Sequence, residues 1–243
     1  KLLEKNQEKF PDFVLNKKGL GLIHALLGAV PEQFQWILNL AGLEGGIDLG
    51  LSELNDVLNS EECKLYETEV LFLLSFLQIN LTENDKLNQE YLARIGERYQ
   101  NNLLLNFVAA RLSHNLGLND YCLNVLENRP SIKGKLPFYY LDYLLGMSYL
   151  YKLDYENAQN KFEYFSVNFK GVNYIKSANH KLAWIAFLQK NFEKKNEYFA
   201  KVISEGNTSV DEDKVAIKDA EGVYFTSPVL LKARLLYDGG YYE

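Results

Sequence analysis

The stretch FYYLDYLLGMSYLYKLDYENAQNKFEYFSVNFK, residues 138–170, decides the fold class of this chain. Its apolar residues follow the helical period on both sides of a short break, which predicts two amphipathic helices. Ala110 lies 36 residues before Gly146, and Ala183 lies 37 residues after it. One helix pair cannot bury both of its apolar faces, so this period predicts several stacked helix pairs.

Gly146 falls in the middle of the first predicted helix of this unit. Glycine lowers helix propensity by about 1 kcal/mol relative to alanine, so a compensating contact is expected there. We predict a tight helix crossing at Gly146, with large residues such as Phe162 filling the space between helices.

The same periodicity predicts helices along the rest of the chain, without alternating strand patterns. We expect one helical-repeat domain over residues 1–243, a piece of a longer chain, with a globular helical bundle as the alternative. Residues 205–226 form a polar insertion, with one short helix at 210–220. The predicted helices cover residues 1–10, 20–28, 33–43, 47–58, 68–79, 83–98, 102–115, 120–128, 138–152, 155–168, 174–189, 192–204 and 227–237.

Composition narrows the classes of function. Hydrophobic residues make up 47% of the chain, enough for a substantial core, and the net charge is −6. Phosphate binding needs a basic face, so nucleic acid is not expected as a partner. No apolar stretch is long enough to span a bilayer. Residues 161–201 hold eight lysines and three glutamates, which indicates either a solvated face or a contact for an acidic partner.

The longest apolar stretches of the chain are residues 20–30 and 70–81. We expect both helices of residues 20–43 to be buried. Trp36 is predicted to be a large packing group in the second of them. Peripheral membrane association through these helices is an alternative, and it requires that they be exposed instead.

No pattern of catalytic, metal-binding or cofactor-binding residues is present. The three histidines lie on different repeats, and the chain has no HExxH, GxSxG or phosphate-loop sequence. Cys63 and Cys122 lack zinc-ligand spacing, and Cys122 falls at a small-residue position of a helix. We therefore predict no enzymatic activity, no metal and no cofactor.

The unit at 138–170 resembles a tetratricopeptide repeat, because Gly146, Tyr149, Tyr155, Ala158 and Phe162 keep the spacing of that family. Asp142 departs from it, since a large apolar residue is usual there. The resemblance implies an all-α, tetratricopeptide-like right-handed superhelix of antiparallel helix pairs.

A second resemblance lies in residues 19–58, GLGLIHALLGAVPEQFQWILNLAGLEGGIDLGLSELNDVL. It is similar to bacterial tetratricopeptide-like proteins of the Bacteroidetes type and, distantly, to the tetratricopeptide repeat protein 39 / inclusion-body clearance family. This resemblance implies a non-enzymatic repeat protein and favours the bacterial envelope or periplasm over the cytoplasm. The residues that carry it are Gly21, Pro31, Gly42, Gly46, Gly50 and Leu54.

In such a superhelix the first helix of each pair lines the concave surface. We predict that this surface binds a protein or peptide partner, since aromatic residues and arginine are the usual anchors of interfaces. Alternatives are that the rings form core, or that they enclose a small apolar or lipid-like ligand. The predicted surface residues are Phe107, Arg111, His114, Tyr140, Tyr143, Met147, Tyr151, His180, Trp184 and Arg234, with Leu230 and Tyr237 on the last helix.

Overall fold

The computed structural model describes residues 1–131, 134, 136–222 and 227–243. Over these residues the protein is all-helical, with fourteen α-helices, two short 3₁₀ helices and no strand. The all-α prediction is confirmed. The helices are α1 Leu2–Lys9, α2 Asn16–Gly28, α3 Glu32–Leu40, α4 Ile47–Asn59, α5 Glu67–Leu81, α6 Asp85–Ile95, α7 Leu103–Asn115, α8 Asn119–Glu127, α9 Tyr140–Tyr151, α10 Tyr155–Asn168, α11 Ile175–Leu188, α12 Phe192–Ser204, α13 Asp211–Glu221 and α14 Pro228–Asp238.

The helices group into two compact units, residues 1–99 and 100–243. The first contains α1 to α6 and the second contains α7 to α14. Each has its own buried core, and the prediction of one continuous repeat domain over residues 1–243 stays a prediction. Cys63 and Cys122 are both buried and free.

The core of the first unit is built on a close crossing of α2 and α4. A Cβ atom on Gly21 would lie 2.7 Å from the Gly50 carbonyl oxygen, so the two backbones touch without intervening side chains. Around this crossing α4 buries Leu51, Leu54 and Leu58. These three are among the residues that the helical period of 47–58 placed on one face.

Between α2 and α4 the chain makes an excursion that contains α3. Its base is also closed by backbone contact, because a Cβ atom on Gly28 would lie 2.7 Å from the Gly46 Cα. The Gly46 N–H donates to the His24 carbonyl oxygen at 3.0 Å. No residue of α3 is buried, and Trp36 is 62% exposed. The prediction that both helices of 20–43 are buried is therefore wrong for α3.

The second unit pairs its helices in the predicted order. α7 packs on α8, α9 on α10, and α11 on α12, while α8 meets α9 and α10 meets α11. The predicted tight crossing is present, because a Cβ atom on Gly146 would lie 3.0 Å from the Phe162 ring. Ala110, Ala158 and Ala183 are completely buried.

Side-chain hydrogen bonds between alternate helices recur at nearly constant sequence separation. Ser148 lies 34 residues after its partner His114, and the hydroxyls of Tyr143 and Ser177 meet across the same separation. Among the second helices, Tyr198 donates to a residue 35 positions earlier, Glu163. Neighbouring pairs are thus in contact at a nearly constant offset, which is one or two residues shorter than the 36-residue spacing of Ala110 and Gly146.

Asp142, which stands where the repeat pattern usually has a large apolar residue, is paired with cationic side chains. This carboxylate is 4% exposed and accepts from the Arg129 guanidinium at 2.7 Å, with the Lys161 Nζ at 3.8 Å. Buried charges need a partner, and here the turn before α9 supplies it.

The charged segment after α12 holds the predicted short helix as α13, which packs on α11 and α12. Its Asp213 is fully buried and accepts from the backbone N–H groups of Tyr174 and Ser177, at 2.6 and 2.8 Å. This carboxylate therefore caps the N-terminus of α11, a favourable site for negative charge. Residues 223–226, the end of the predicted insertion, lie outside the described residues.

Candidate functional site

The ten predicted surface residues all lie in the second unit, and the structure sorts them by burial. Tyr143, His180 and Trp184 are buried, so for these three the core interpretation holds. Arg234 is exposed. The remaining six are partly exposed, namely Phe107, Arg111, His114, Tyr140, Met147 and Tyr151.

A cluster of tyrosines joins α9 to the start of α11. The Tyr140 ring lies 4.5 Å from Tyr174 and 5.5 Å from Tyr143, centroid to centroid. Phe107 approaches Tyr140 from α7 at 6.0 Å. The Tyr143 hydroxyl is paired with the Ser177 hydroxyl at 2.8 Å, so its polar tip is satisfied inside the core.

Arg111 gives this cluster a cationic edge. Its guanidinium donates to the Tyr140 hydroxyl at 3.1 Å. One turn further along α7, His114 bonds to the Ser148 hydroxyl at 2.8 Å, and its ring meets Tyr151 edge-on at 5.7 Å. Burial, with a smaller effect from the Arg111 charge, lowers the pKa of His114 to about 4. His114 is therefore neutral at pH 7.

His180 and Trp184 are neighbours on α11. The Trp184 indole N–H donates to His180 Nε2 at 2.8 Å, and the Asp219 carboxylate of α13 lies 3.3 Å from the same nitrogen. Burial lowers the pKa of His180 to about 4, although Asp219 opposes this shift. Protonation at Nε2 would also remove the acceptor of the Trp184 N–H.

Two cations share the Trp184 indole. The Lys181 ammonium lies 3.6 Å from the ring centroid, and the Arg234 guanidinium approaches the same ring at 5.8 Å. Burial, followed by repulsion from Arg234, lowers the pKa of Lys181 to about 7. Cations over an aromatic face are stabilised by the ring quadrupole, more so when they are partly desolvated. Lys181 itself remains partly exposed.

The last helix places further exposed groups beside these cations. α14 packs on α9 and buries Leu231 and Leu235. Leu230 and Tyr237 on its other side are exposed, and Arg234 between them forms an i,i+4 ion pair with Asp238 at 3.6 Å. Leu230, Arg234 and Tyr237, which the sequence predicts to line the binding surface on this helix, are therefore all exposed.

Tyr151 of α9 lies between α7 and the end of α14. Its ring meets His114 of α7 at 5.7 Å, and a Cβ atom on Gly239 would lie 2.8 Å from the Tyr151 Cβ. Burial, followed by the charge of Asp238, raises the pKa of its phenol.

The sequence reasoning missed Lys181 and Tyr174 as members of this region. Lys181 was counted among the lysines of 161–201, but nothing in its spacing separated it from its solvated neighbours. Tyr174 adopts a left-handed backbone conformation with φ of 63° just before α11. The neighbouring sequence does not predict this conformation, which is uncommon for residues other than glycine.

Over residues 1–131, 134, 136–222 and 227–243, each helix is too short or too polar to cross a bilayer. In those same ranges no group of three His, Cys, Asp or Glu side chains could hold a metal ion. Comparison with known proteins found no matching family model, no matching curated protein and no matching solved structure.

Proposed function

We propose that the second unit is a non-catalytic scaffold that binds a polypeptide partner. The binding surface, called here the cation–aromatic surface, consists of Arg111, Tyr140, Lys181, Arg234 and Tyr237. Each of these five side chains contacts an aromatic residue of this unit, and Tyr237 does so by packing on the Tyr242 ring at 5.3 Å. Tyrosine and arginine held in this way are the residues that most often carry binding energy at interfaces.

The single observation that carries the proposal is the pair of cations on the Trp184 indole. Lys181 and Arg234 repel each other, and burial makes the ammonium harder to keep charged. Carboxylates of the chain oppose the lowering of its pKa only in part, namely Asp219, Asp238 and Glu212. A carboxylate from a partner would add to this opposition, because an opposite charge nearby favours the charged form. The expected partner is therefore a polypeptide that presents an acidic side chain beside apolar ones.

The proposed architecture is a tetratricopeptide-like right-handed superhelix. The hydrogen bonds that recur at separations of 34 and 35 residues support it, because they join successive pairs at a nearly constant offset. A stack of such pairs offers an extended face to a partner.

The alternative, a small apolar or lipid-like ligand, requires space among the aromatic rings. Tyr143 and Trp184 are instead occupied by core contacts with Ser177 and His180. The exposed aromatic and cationic groups favour a polypeptide over that ligand.

The test places a photo-crosslinking benzoylphenylalanine at position 237 of the full chain. The matched control carries it at position 164, because Tyr164 is also exposed but lies on α10, a helix that contributes no residue to the cation–aromatic surface. We expect a protein adduct from position 237 in a lysate of the source cells, and its loss when Lys181 and Arg234 are both changed to Ala.

Equal adducts from the two positions, or none from position 237, would contradict the proposed surface. An apolar small molecule released from the purified chain in native mass spectrometry, with no protein adduct, would favour the alternative.

A further inference from the structure

We propose that α3 is a lipid-contacting helix that lies shallowly in an uncharged membrane interface. The inference concerns the first unit and is independent of the proposed function of the second. It starts from the exposure of α3, whose large apolar side chains Phe34, Trp36, Ile37 and Leu40 are all exposed. Contiguous exposed apolar groups of this size mark an interaction site.

The segment that carries α3 is fixed at its base by backbone contact. Local hydrogen bonds also define where the helix α3 ends. Gly28 and Gly46 meet backbone to backbone, so α2 and α4 complete their crossing without any contribution from α3. The helix has its own stop signal, because Gly42 has a φ of 62° and the Leu43 N–H donates to the Leu38 carbonyl at 2.9 Å. This is the pattern of a Schellman motif, which ends a helix by local bonds alone.

The apolar surface of α3 is too wide for a single protein partner. At about 100° per residue, Trp36, Leu40, Ile37, Phe34 and Leu38 span roughly 200° of its circumference, interrupted by Gln33. A helix that packs on one neighbour needs a stripe of about 100°. A wider arc suits immersion in a medium that covers it from several sides.

The charge pattern identifies that medium. Residues 29–43 contain one charged residue, Glu32, and no lysine or arginine, and the chain as a whole carries −6. Binding to anionic lipid needs basic residues near the surface, which α3 lacks. A charge-poor apolar tip is complementary to the hydrocarbon boundary of a zwitterionic bilayer, where Trp and Phe are favoured. A helix of nine residues is about 14 Å long, so it lies in the interface and does not cross it.

The full chain offers a built-in reporter and a matched control. Trp36 is 62% exposed, whereas Trp184 is 3% exposed, so a vesicle-induced blue shift of tryptophan emission reports Trp36. Leu40 is 83% exposed on α3 and Leu65 is 88% exposed outside it. Leu40→Glu and Leu65→Glu therefore introduce the same charge at equally exposed positions of the first unit.

The experiment measures flotation and tryptophan emission of the full chain with small phosphatidylcholine vesicles. We expect wild type and Leu65→Glu to float and to shift to the blue, and Leu40→Glu to partition about tenfold more weakly. Trp36→Phe should still float but lose the shift. Adding phosphatidylglycerol to the vesicles should not strengthen binding.

Two results would overturn the proposal. One is that wild type stays in solution at every lipid concentration, and the other is that Leu40→Glu floats as well as Leu65→Glu. If wild type does not float, a dimer in sedimentation equilibrium that Leu40→Glu dissociates would assign α3 to a second copy of the chain.

Discussion

Two aromatic regions of this protein differ in their exposure to solvent. The helix α3 carries Trp36 and Phe34 on an apolar segment, and both side chains are exposed. The first helices of the second unit carry Tyr143 and Trp184 on segments that are also apolar, and both side chains are buried. Apolar composition alone therefore does not decide which side chains form core.

The difference lies in the neighbours that the chain supplies. In the second unit α11 is packed by α10, α12 and α13, so rings on several of its sides find partners. In the first unit the glycine contacts let α2 and α4 meet directly. That close crossing leaves α3 outside the packed layer, although its sequence is also apolar.

The largest expected effect separates the two tryptophans. Trp184→Ala removes a buried indole and its hydrogen bond to His180, and should lower the free energy of unfolding by about 3–5 kcal/mol. Urea unfolding followed by far-ultraviolet circular dichroism measures the change. A loss below about 1 kcal/mol would mean that this ring is not core and would return it to the candidate groove.

The next effect tests the crossing that excludes α3. Gly21→Ala would place a Cβ atom 2.7 Å from the Gly50 carbonyl oxygen, and should destabilise the first unit by about 2 kcal/mol. Gly19→Ala is the matched control on the same helix, because its Cβ would meet only the flexible end of the Leu3 side chain, at 3.0 Å. We expect Gly19→Ala to be neutral or stabilising by up to about 1 kcal/mol in urea unfolding, since alanine is the better helix former. Equal effects of the two substitutions would argue against backbone contact at the crossing.

Most of the secondary structure could be predicted from the sequence. The predicted bounds of α10 and α12 agree with the structure to the residue, and α14 differs by one residue at each end. The apolar period and the polar breaks carry this information locally. The tight crossing at Gly146 was also predictable, because a mid-helix glycine needs a compensating contact.

Exposure could not be predicted in the same way, because it depends on contacts between distant segments. The sequence around Trp36 does not indicate that α2 and α4 will pack together at Gly21 and Gly50 without a contact from Trp36. The pairing of Lys181 with Trp184 lies within one turn of α11, but its importance depends on Arg234 of α14, 53 residues away. The residues of the candidate site were therefore named partly correctly, and their division into core and surface required the structure.

The pH dependence of stability tests the burial of His180 beside Trp184. We expect a change of about 2 kcal/mol in the free energy of unfolding. The pKa of His180 is about 4 in the folded protein and about 6.5 in an unfolded chain. As pH falls below 6.5 the unfolded state binds more protons, so stability is lost progressively towards pH 4. Between pH 7 and pH 5 His180 should contribute a loss of about 2 kcal/mol. His114, with a pKa also of about 4, adds to the same trend.

The measurement is urea unfolding at pH 7 and at pH 5, for wild type and His180→Asn. The variant removes one proton-binding group, so its loss between the two pH values should be smaller by about 2 kcal/mol, whatever its absolute stability. An unchanged pH dependence would show that His180 has the same pKa in the folded and unfolded states.

The smallest change in the free energy of unfolding is expected for the exposed tryptophan, Trp36. Trp36→Ala truncates a side chain as large as Trp184, but it removes no core contact, because no residue of α3 is buried. Exposed substitutions away from caps and networks change stability by less than about 0.5 kcal/mol, so urea unfolding of Trp36→Ala should match wild type. A loss above about 2 kcal/mol would mean that α3 is covered within the isolated chain. With a neutral result, any effect of Trp36 on function has to arise from what α3 contacts outside the chain.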